Sequence, residues 1–166
     1  MKLPEIIILG GMKCASSSLR DLLNSHSKIT MLPAEGNFFN IDKEFEKGAN
    51  YYRDKFLKLD ENELTIWAEK TVEYSLIPNV ANKIYKIIPN AKLIWILRNP
   101  TDRTYSNYLH EYKRGEEVMS FEEALNREIS DSRINPIHKY LSNSIYSDQI
   151  VNFLKVFNRN QIHFIL

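Results

Sequence analysis

The chain has 166 residues, 43% hydrophobic and 26% charged, with 22 Lys+Arg against 21 Asp+Glu for a net charge of +1. That composition can bury a core, which excludes a disordered tail or a coiled coil, and the balanced charge leaves no global basic field for nonspecific nucleic-acid binding. The single cysteine, Cys14, excludes an intramolecular disulfide and a cysteine-based zinc cluster, and the first apolar run, Ile6 to Leu9, is too short for a signal peptide or a membrane span. The expectation is one reduced, soluble α/β domain over residues 1–166, cytoplasmic, with no membrane or nucleic-acid partner.

No repeat, low-complexity block or Gly/Ser/Pro-rich linker divides the chain. Glu5 to Leu9 reads as a buried strand ending at Gly10-Gly11, and from Ser17 the spacing of Leu19, Leu22, Leu23 and His26 predicts a helix to about Ser25. A short strand follows from Lys28 to Leu32, stopped by Pro33. Phe45 to Leu59 reads as a helix interrupted at Gly48, and Thr65 to Glu69 as a short strand. Ile77, Val80, Ala81, Ile84, Ile87 and Ile88 form one apolar helical face, closed by Pro89-Asn90. Lys92 to Leu97 is the clearest buried strand. Asn99-Pro100-Thr101-Asp102 has the order N-cap, proline at the first helical position, acid in the first turn. Tyr105, Tyr108, Leu109 and Tyr112 carry that helix to Arg114-Gly115, and Ser120-Phe121-Glu122-Glu123 is a capping box for another. Tyr146, Ile150, Phe153, Leu154 and Phe157 stripe a last helix before Gln161 to Leu166, a strand that stops with the chain. Strands alternating with helices predict a central parallel sheet flanked by helices, a three-layer P-loop-like α/β fold that binds ligands at the carboxyl ends of its strands. A buried strand is an unusual terminus, so further elements are expected beyond Leu166.

Two segments carry chemistry. Gly10-Gly11-Met12-Lys13-Cys14-Ala15-Ser16-Ser17-Ser18-Leu19 joins a strand to a helix, where glycines allow close backbone approach and a helix amino terminus offers free N–H groups. Lys13 and three hydroxyls add donors, so the loop suits a phosphate or similar oxyanion; an ordinary serine-capped turn is the plain alternative. The usual nucleotide loop G-x-x-x-x-G-K-[ST] is absent, because Lys13 precedes the helix-start serines. In the second segment, Arg98 ends a buried strand and Ser106 lies two turns into the following helix, a fork and a hydroxyl suited to a second phosphate. The plain alternative there is an arginine paired with Asp102 and a solvated serine. Together the two segments fit one doubly phosphorylated nucleotide.

Both segments resemble those of the sulfotransferases that use 3′-phosphoadenosine 5′-phosphosulfate as donor, and more closely the heparan sulfate N- and O-sulfotransferase branch than the steroid and phenol branch. The branch pattern I-I-G-x-x-K-x-G-T-[TR]-x-L is similar to Ile8 through Leu19, E-x-x-F-F to Glu35-Gly36-Asn37-Phe38-Phe39, E-K-[TS]-x-x-Y to Glu69-Lys70-Thr71-Val72-Glu73-Tyr74, and L-R-[DN]-P-x-x-R-x-x-S-x-Y to Leu97 through Tyr108. The resemblance implies that Gly11, Lys13, Cys14, Ala15, Ser16, Ser17 and Ser18 hold the 5′-phosphosulfate, and that Arg98 and Ser106 hold the 3′-phosphate. It implies Glu35 as general base, Lys13 as stabiliser of the leaving phosphate, and Lys70 as an orienting group. The acceptor it implies is a hydroxyl or amine of a small molecule or oligosaccharide. Ala15 and Ser16 replace a usual glycine and threonine, and the family's later basic, Gly-containing loop lies beyond Leu166. A P-loop kinase-like phosphotransferase and a nucleotide-binding remnant without catalysis are the competing readings.

Other residues carry less. His26, His110, His138 and His163 have no metal-ligand spacing, so no metal is assigned. Asp60-Glu61-Glu63 and Glu116-Glu117 read as solvated charge, Tyr51-Tyr52 and Phe38-Phe39 as core. Cys14 sits at a helix start that could lower its pKa, with a small filler role as the alternative.

Overall fold

Five short runs rich in β-branched and aromatic residues pair into one parallel sheet, as the alternation of strands and helices requires. The computed structural model describes residues 1–59, 64–131, 133–135 and 138–166, so the acidic run at residues 60–63 lies outside the described residues. The strands are β1 (Ile6–Gly10), β2 (Ile29–Met31), β3 (Ile66–Lys70), β4 (Lys92–Ile96) and β5 (Ile162–Ile165), in the spatial order β2-β3-β1-β4-β5. All four pairings are parallel, with Ile8 opposite Lys70 on β3 and opposite Ile94 on β4. β1 is therefore central. After β1 the chain crosses to one side of it to build β2 and β3, then to the other side for β4, so its carboxyl end is the topological switch point.

Alternation along the strands sends side chains to two cores. Ile7, Leu9, Trp67, Leu93, Trp95 and Ile162 pack with Tyr52, Phe56, Ile84 and Phe153 on one face. Ile8, Met31 and Ala68 pack with Leu19 and Leu23 on the other. The helices are α1 (Ser16–Asn24), α2 (Asp42–Phe45), α3 (Gly48–Leu57), α4 (Val80–Ile87), α5 (Pro100–Arg114), α6 (Phe121–Ser130) and α7 (Tyr146–Leu154). Among the described residues no helix is long and apolar enough to cross a membrane.

The caps read from sequence are present. The Asn99 side chain accepts from the N–H groups of Thr101 and Asp102, and Ser120 and Glu123 cap one another reciprocally. Three expectations need correction. The helix over Phe45 to Leu59 is two helices, with Phe45 closing α2 and Gly48 opening α3 rather than interrupting one helix. The terminal strand lies at the sheet edge, and of its residues only Ile162 is buried. Glu117 is not solvated: it is 2% exposed, and its carboxylate takes Arg127 at 2.6 Å and the Tyr140 hydroxyl at 3.0 Å, with His138 at 3.6 Å. That cluster ties α6 to the segment that leads back to α7. A buried carboxylate needs such partners, and Glu117 finds them on residues 10 to 23 positions away.

Candidate active site

The loop after β1 is built by its neighbours. Gly10 has φ +131, and a Cβ there would lie 2.9 Å from the Val72 carbonyl, so only glycine fits. The Gly11 N–H donates to the Ile96 carbonyl at 2.7 Å, fastening the loop to the end of β4. Lys13 and Ala15 both take positive φ, 66° and 62°. The Met12 carbonyl accepts from Arg103 Nε at 3.1 Å and the Lys13 carbonyl from Arg98 Nη1 at 3.3 Å. Two loop carbonyls are thus occupied by arginines. Ala15 is the N-cap of α1 and has no side chain with which to cap it. The first-turn N–H groups of a nine-residue helix, with Lys13 beside them, make a fitting cradle for an oxyanion.

Two clefts meet at this loop. One, of about 510 Å³, is lined by Lys13, Ser18, Arg98 and the apolar side chains of Leu19, Leu22, Ile96 and Leu97. The other, of about 440 Å³, is lined by Lys13, Ser16, Ser17, Glu35, Lys70, Glu73, His110, Glu111 and Arg114. Lys13 and Ala15 belong to both. The three serines divide between them, Ser18 to the first and Ser16 and Ser17 to the second. Ser106 is half-buried on α5 and lines neither cleft. Arg98 is exposed and, among the described residues, forms no ion pair with Asp102.

Glu35 and Lys70 are brought together at 2.7 Å, and Lys70 Nζ lies 3.5 Å from Ser17 Oγ. The segment carrying Glu35 is clasped by the end of β3 and the turn after it. Lys70 holds Glu35, Thr71 Oγ1 accepts from the Asn37 N–H at 3.2 Å, and the Tyr74 hydroxyl accepts from the N–H groups of Phe38 and Phe39 at 3.0 and 3.4 Å. Two sequence motifs, residues 35–39 and 69–74, are therefore one structural unit. From α3, Lys55 Nζ adds a bond to the Gly36 carbonyl at 2.9 Å.

Glu69, the first residue of the second motif, lies beneath this clasp and is fully buried. Its carboxylate accepts from the Tyr52 hydroxyl at 2.6 Å, and a Cβ on Gly36 would fall 1.5 Å from Oε2, so the 35–39 segment closes onto it only through glycine. Burial pushes the Glu69 carboxyl up from 4.5 to about 7, against the Tyr52 hydrogen bond that pulls it down. A carboxyl held above its unfolded value stabilises the fold below about pH 4.5, and that contribution is lost as the pH rises through about 7. Urea titrations of wild type and Glu69→Gln at pH 5 and pH 8 should show the variant gaining about 3 kcal/mol relative to wild type at the higher pH. A constant difference between them across this range would remove Glu69 as the source.

Several contributors had no sequence role. On α5, Arg103, Asn107 and Glu111 recur every four residues and are at most 1% exposed, a polar stripe facing inward. Arg103 joins the Met12 carbonyl to the Tyr140 carbonyl and Ser144 Oγ at 3.0 and 2.9 Å, so α5 holds the loop to the chain before α7. The i, i+4, i+8 spacing was the available signal. Tyr146 opens α7 and donates to the Arg98 carbonyl at 3.2 Å. Its hydroxyl also meets Cys14 Sγ at 3.6 Å. Cys14 is buried, and burial pushes its thiol up, so the helix start does not lower it and the filler role holds. Tyr51 donates to Glu44 at 2.8 Å and serves α2–α3 packing.

Comparison with known proteins places this architecture. The family model for the sulfotransferase domain matches residues 3–166. The chain is 31% identical over 165 residues to heparan sulfate glucosamine 3-O-sulfotransferase 5 of Homo sapiens, covering 98% of this chain and 47% of that protein. It is 30% identical to bifunctional heparan sulfate N-deacetylase/N-sulfotransferase 1 of Caenorhabditis briggsae, covering 98% of this chain and 20% of that one. This chain thus spans about half the length, or less, of the curated relatives it matches. A sulfotransferase crystal structure from Alicyclobacillus acidocaldarius superposes with a TM-score of 0.87 at 29% identity, over 100% of this chain and 74% of that one. With the family model matching nearly its whole length, the chain belongs to the sulfotransferase family.

Proposed function

We propose that the protein moves a sulfuryl group from 3′-phosphoadenosine 5′-phosphosulfate to a hydroxyl or amine of a carbohydrate acceptor. The observation that carries this reading is the pair of clefts sharing Lys13, one leading to Arg98 and an apolar wall, the other to the Glu35–Lys70 pair. When bound, the donor supplies a sulfuryl group on a phosphosulfate whose bridging oxygen departs with the phosphate. The N–H groups of Ser16, Ser17 and Ser18 and the Lys13 ammonium hold its 5′ end. Arg98 takes the 3′-phosphate, a role the family resemblance extends to Ser106 although Ser106 lines neither cleft, and Leu19, Leu22 and Leu97 offer the nucleoside an apolar surface. Lys70 engages Oε1 of Glu35, which fixes the carboxylate and leaves Oε2 to take the acceptor proton. Lys13 stabilises negative charge that develops on the bridging oxygen only as the bond breaks, which is where rate is gained.

The test is transfer of radiolabelled sulfate from the donor to a panel of oligosaccharides by the full chain. The expected result is labelled saccharide in step with released 3′-phosphoadenosine 5′-phosphate. Phosphoryl transfer from ATP to the same panel, with none from the sulfate donor, would replace this reading by the kinase-like one.

A further inference from the structure

At the carboxyl end of β3 two consecutive side chains point to opposite faces of the sheet, and the 35–39 segment sits astride them. On one side Lys70 meets the Glu35 carboxylate at 2.7 Å. On the other, Glu69 is buried beneath Gly36, where a Cβ would fall 1.5 Å from its Oε2. The Tyr52 hydroxyl meets Oε1 at 2.6 Å, whereas Oε2 has no hydrogen-bond partner among the described residues. Such a pocket suits the neutral carboxyl. Ionised, the group would hold an unmet anion in the interior against a glycine backbone.

The groups packed around Glu69 decide what gives way when it ionises. From α3, Tyr52 donates to it and the Lys55 ammonium favours its charge. From the turn after β3, Tyr74 lies close, and from the 35–39 segment the Glu35 carboxylate opposes its charge. Lys55 is already engaged with the Gly36 carbonyl at 2.9 Å and lies 3.6 Å from Glu44. An ionised Glu69 therefore competes with the Gly36 carbonyl for Lys55 and repels Glu35, and both effects act on the same segment. β3 is paired on both edges and Tyr52 is fully buried, so neither yields easily. Residues 35–37 have no regular structure, and Asn37 takes φ 49. The segment that carries Glu35 is the weakest member of the contact.

We propose that Glu69 is a positioning residue for sulfuryl transfer: uncharged, it lets the 35–39 segment seat Glu35 for proton abstraction, and its ionisation unseats Glu35. The inference rests on the sulfuryl-transfer reading and adds a control on the base of that reaction. Glu35 takes a proton only when ionised, so its own titration makes the rate rise with pH. Glu69 works the other way. Burial holds its carboxyl up at about 7, so the seated form is lost as the pH rises through that value.

Single-turnover transfer by the full chain at saturating donor, compared at pH 6 and pH 8, tests this. The ratio of the rate at pH 8 to that at pH 6 should be about tenfold lower in wild type than in Glu69→Gln, whose neutral amide has the same shape, as one ionisation midway between them requires. Tyr52→Phe removes the hydrogen bond that favours the charged form, so it should move the decline to higher pH, and it serves as the second variant if Glu69→Gln is unstable. A glutamate with a merely structural role would change the rate by one factor at every pH. The NMR signals of the Gly36 to Phe39 backbone amides give a readout that needs no turnover. They should shift with a midpoint near pH 7 in wild type and stay put in Glu69→Gln. Parallel pH profiles in the two proteins, amide signals that titrate alike in both, or signals that do not titrate in wild type would overturn the proposal. No transfer from the sulfate donor, with the amide titration present and lost in the variant, would strike the sulfuryl-transfer reading alone and support Glu69 as the group that sets the Glu35 segment.

Discussion

Glu35→Gln is expected to slow sulfuryl transfer by roughly 10²–10⁴-fold, the usual worth of a positioned general base. Glutamine keeps the shape and leaves a carbonyl oxygen for the Lys70 ammonium now 2.7 Å from Oε1, so the 35–39 segment should remain clasped to β3. Donor affinity should hardly move, because Glu35 lines only the cleft away from Arg98. The informative measurement is single-turnover transfer at saturating donor, alongside calorimetric binding of 3′-phosphoadenosine 5′-phosphate. Near-normal turnover in this variant would mean that another group takes the proton.

The second large effect is expected at Lys13, the charged side chain shared by both clefts. Lys13→Ala should weaken donor binding and also slow the chemical step by about 10²–10³-fold, the scale for removing one electrostatic stabiliser of a transition state. Lys13→Arg should restore binding better than rate, since a broad planar fork cannot replace a compact ammonium at a single oxygen. Loss of affinity alone would reduce Lys13 to a phosphate clamp. Lys70, 3.5 Å from Ser17 Oγ, would then become the better candidate for stabilising the leaving group.

The strands and the loop were legible in the sequence for a simple physical reason. Parallel strands buried on both faces appear as unbroken apolar runs such as Ile6 to Leu9 and Leu93 to Leu97, and Gly10-Gly11 and Pro33 mark where they stop. Caps were equally plain, because Asn99 and Ser120 satisfy N–H groups two or three residues away. What sequence could not show depends on partners far along the chain. Glu117 and Glu69 look like any surface glutamate until Tyr140, Arg127 and Tyr52 close around them. Glu111 and Arg103 lie on a helix whose polar side chains suggest a solvated face, yet their stripe turns inward toward the loop and the cleft. The motifs located Glu35 and Lys70 separately, and only the fold brings them to 2.7 Å.

The central claim is that one nucleotide spans two anion sites, the N terminus of α1 with Lys13 and the Arg98 end of β4. Calorimetric titration of the full chain with 3′-phosphoadenosine 5′-phosphate and with 5′-AMP tests it most directly, because the two ligands differ only in the 3′-phosphate. The doubly phosphorylated ligand is expected to bind more tightly by roughly 1.5–3 kcal/mol, the range for hydrogen bonds to a charged group. Arg98→Ala should erase most of that difference and Ser106→Ala a smaller part of it. Equal affinity for the two nucleotides in the wild-type chain would contradict the account.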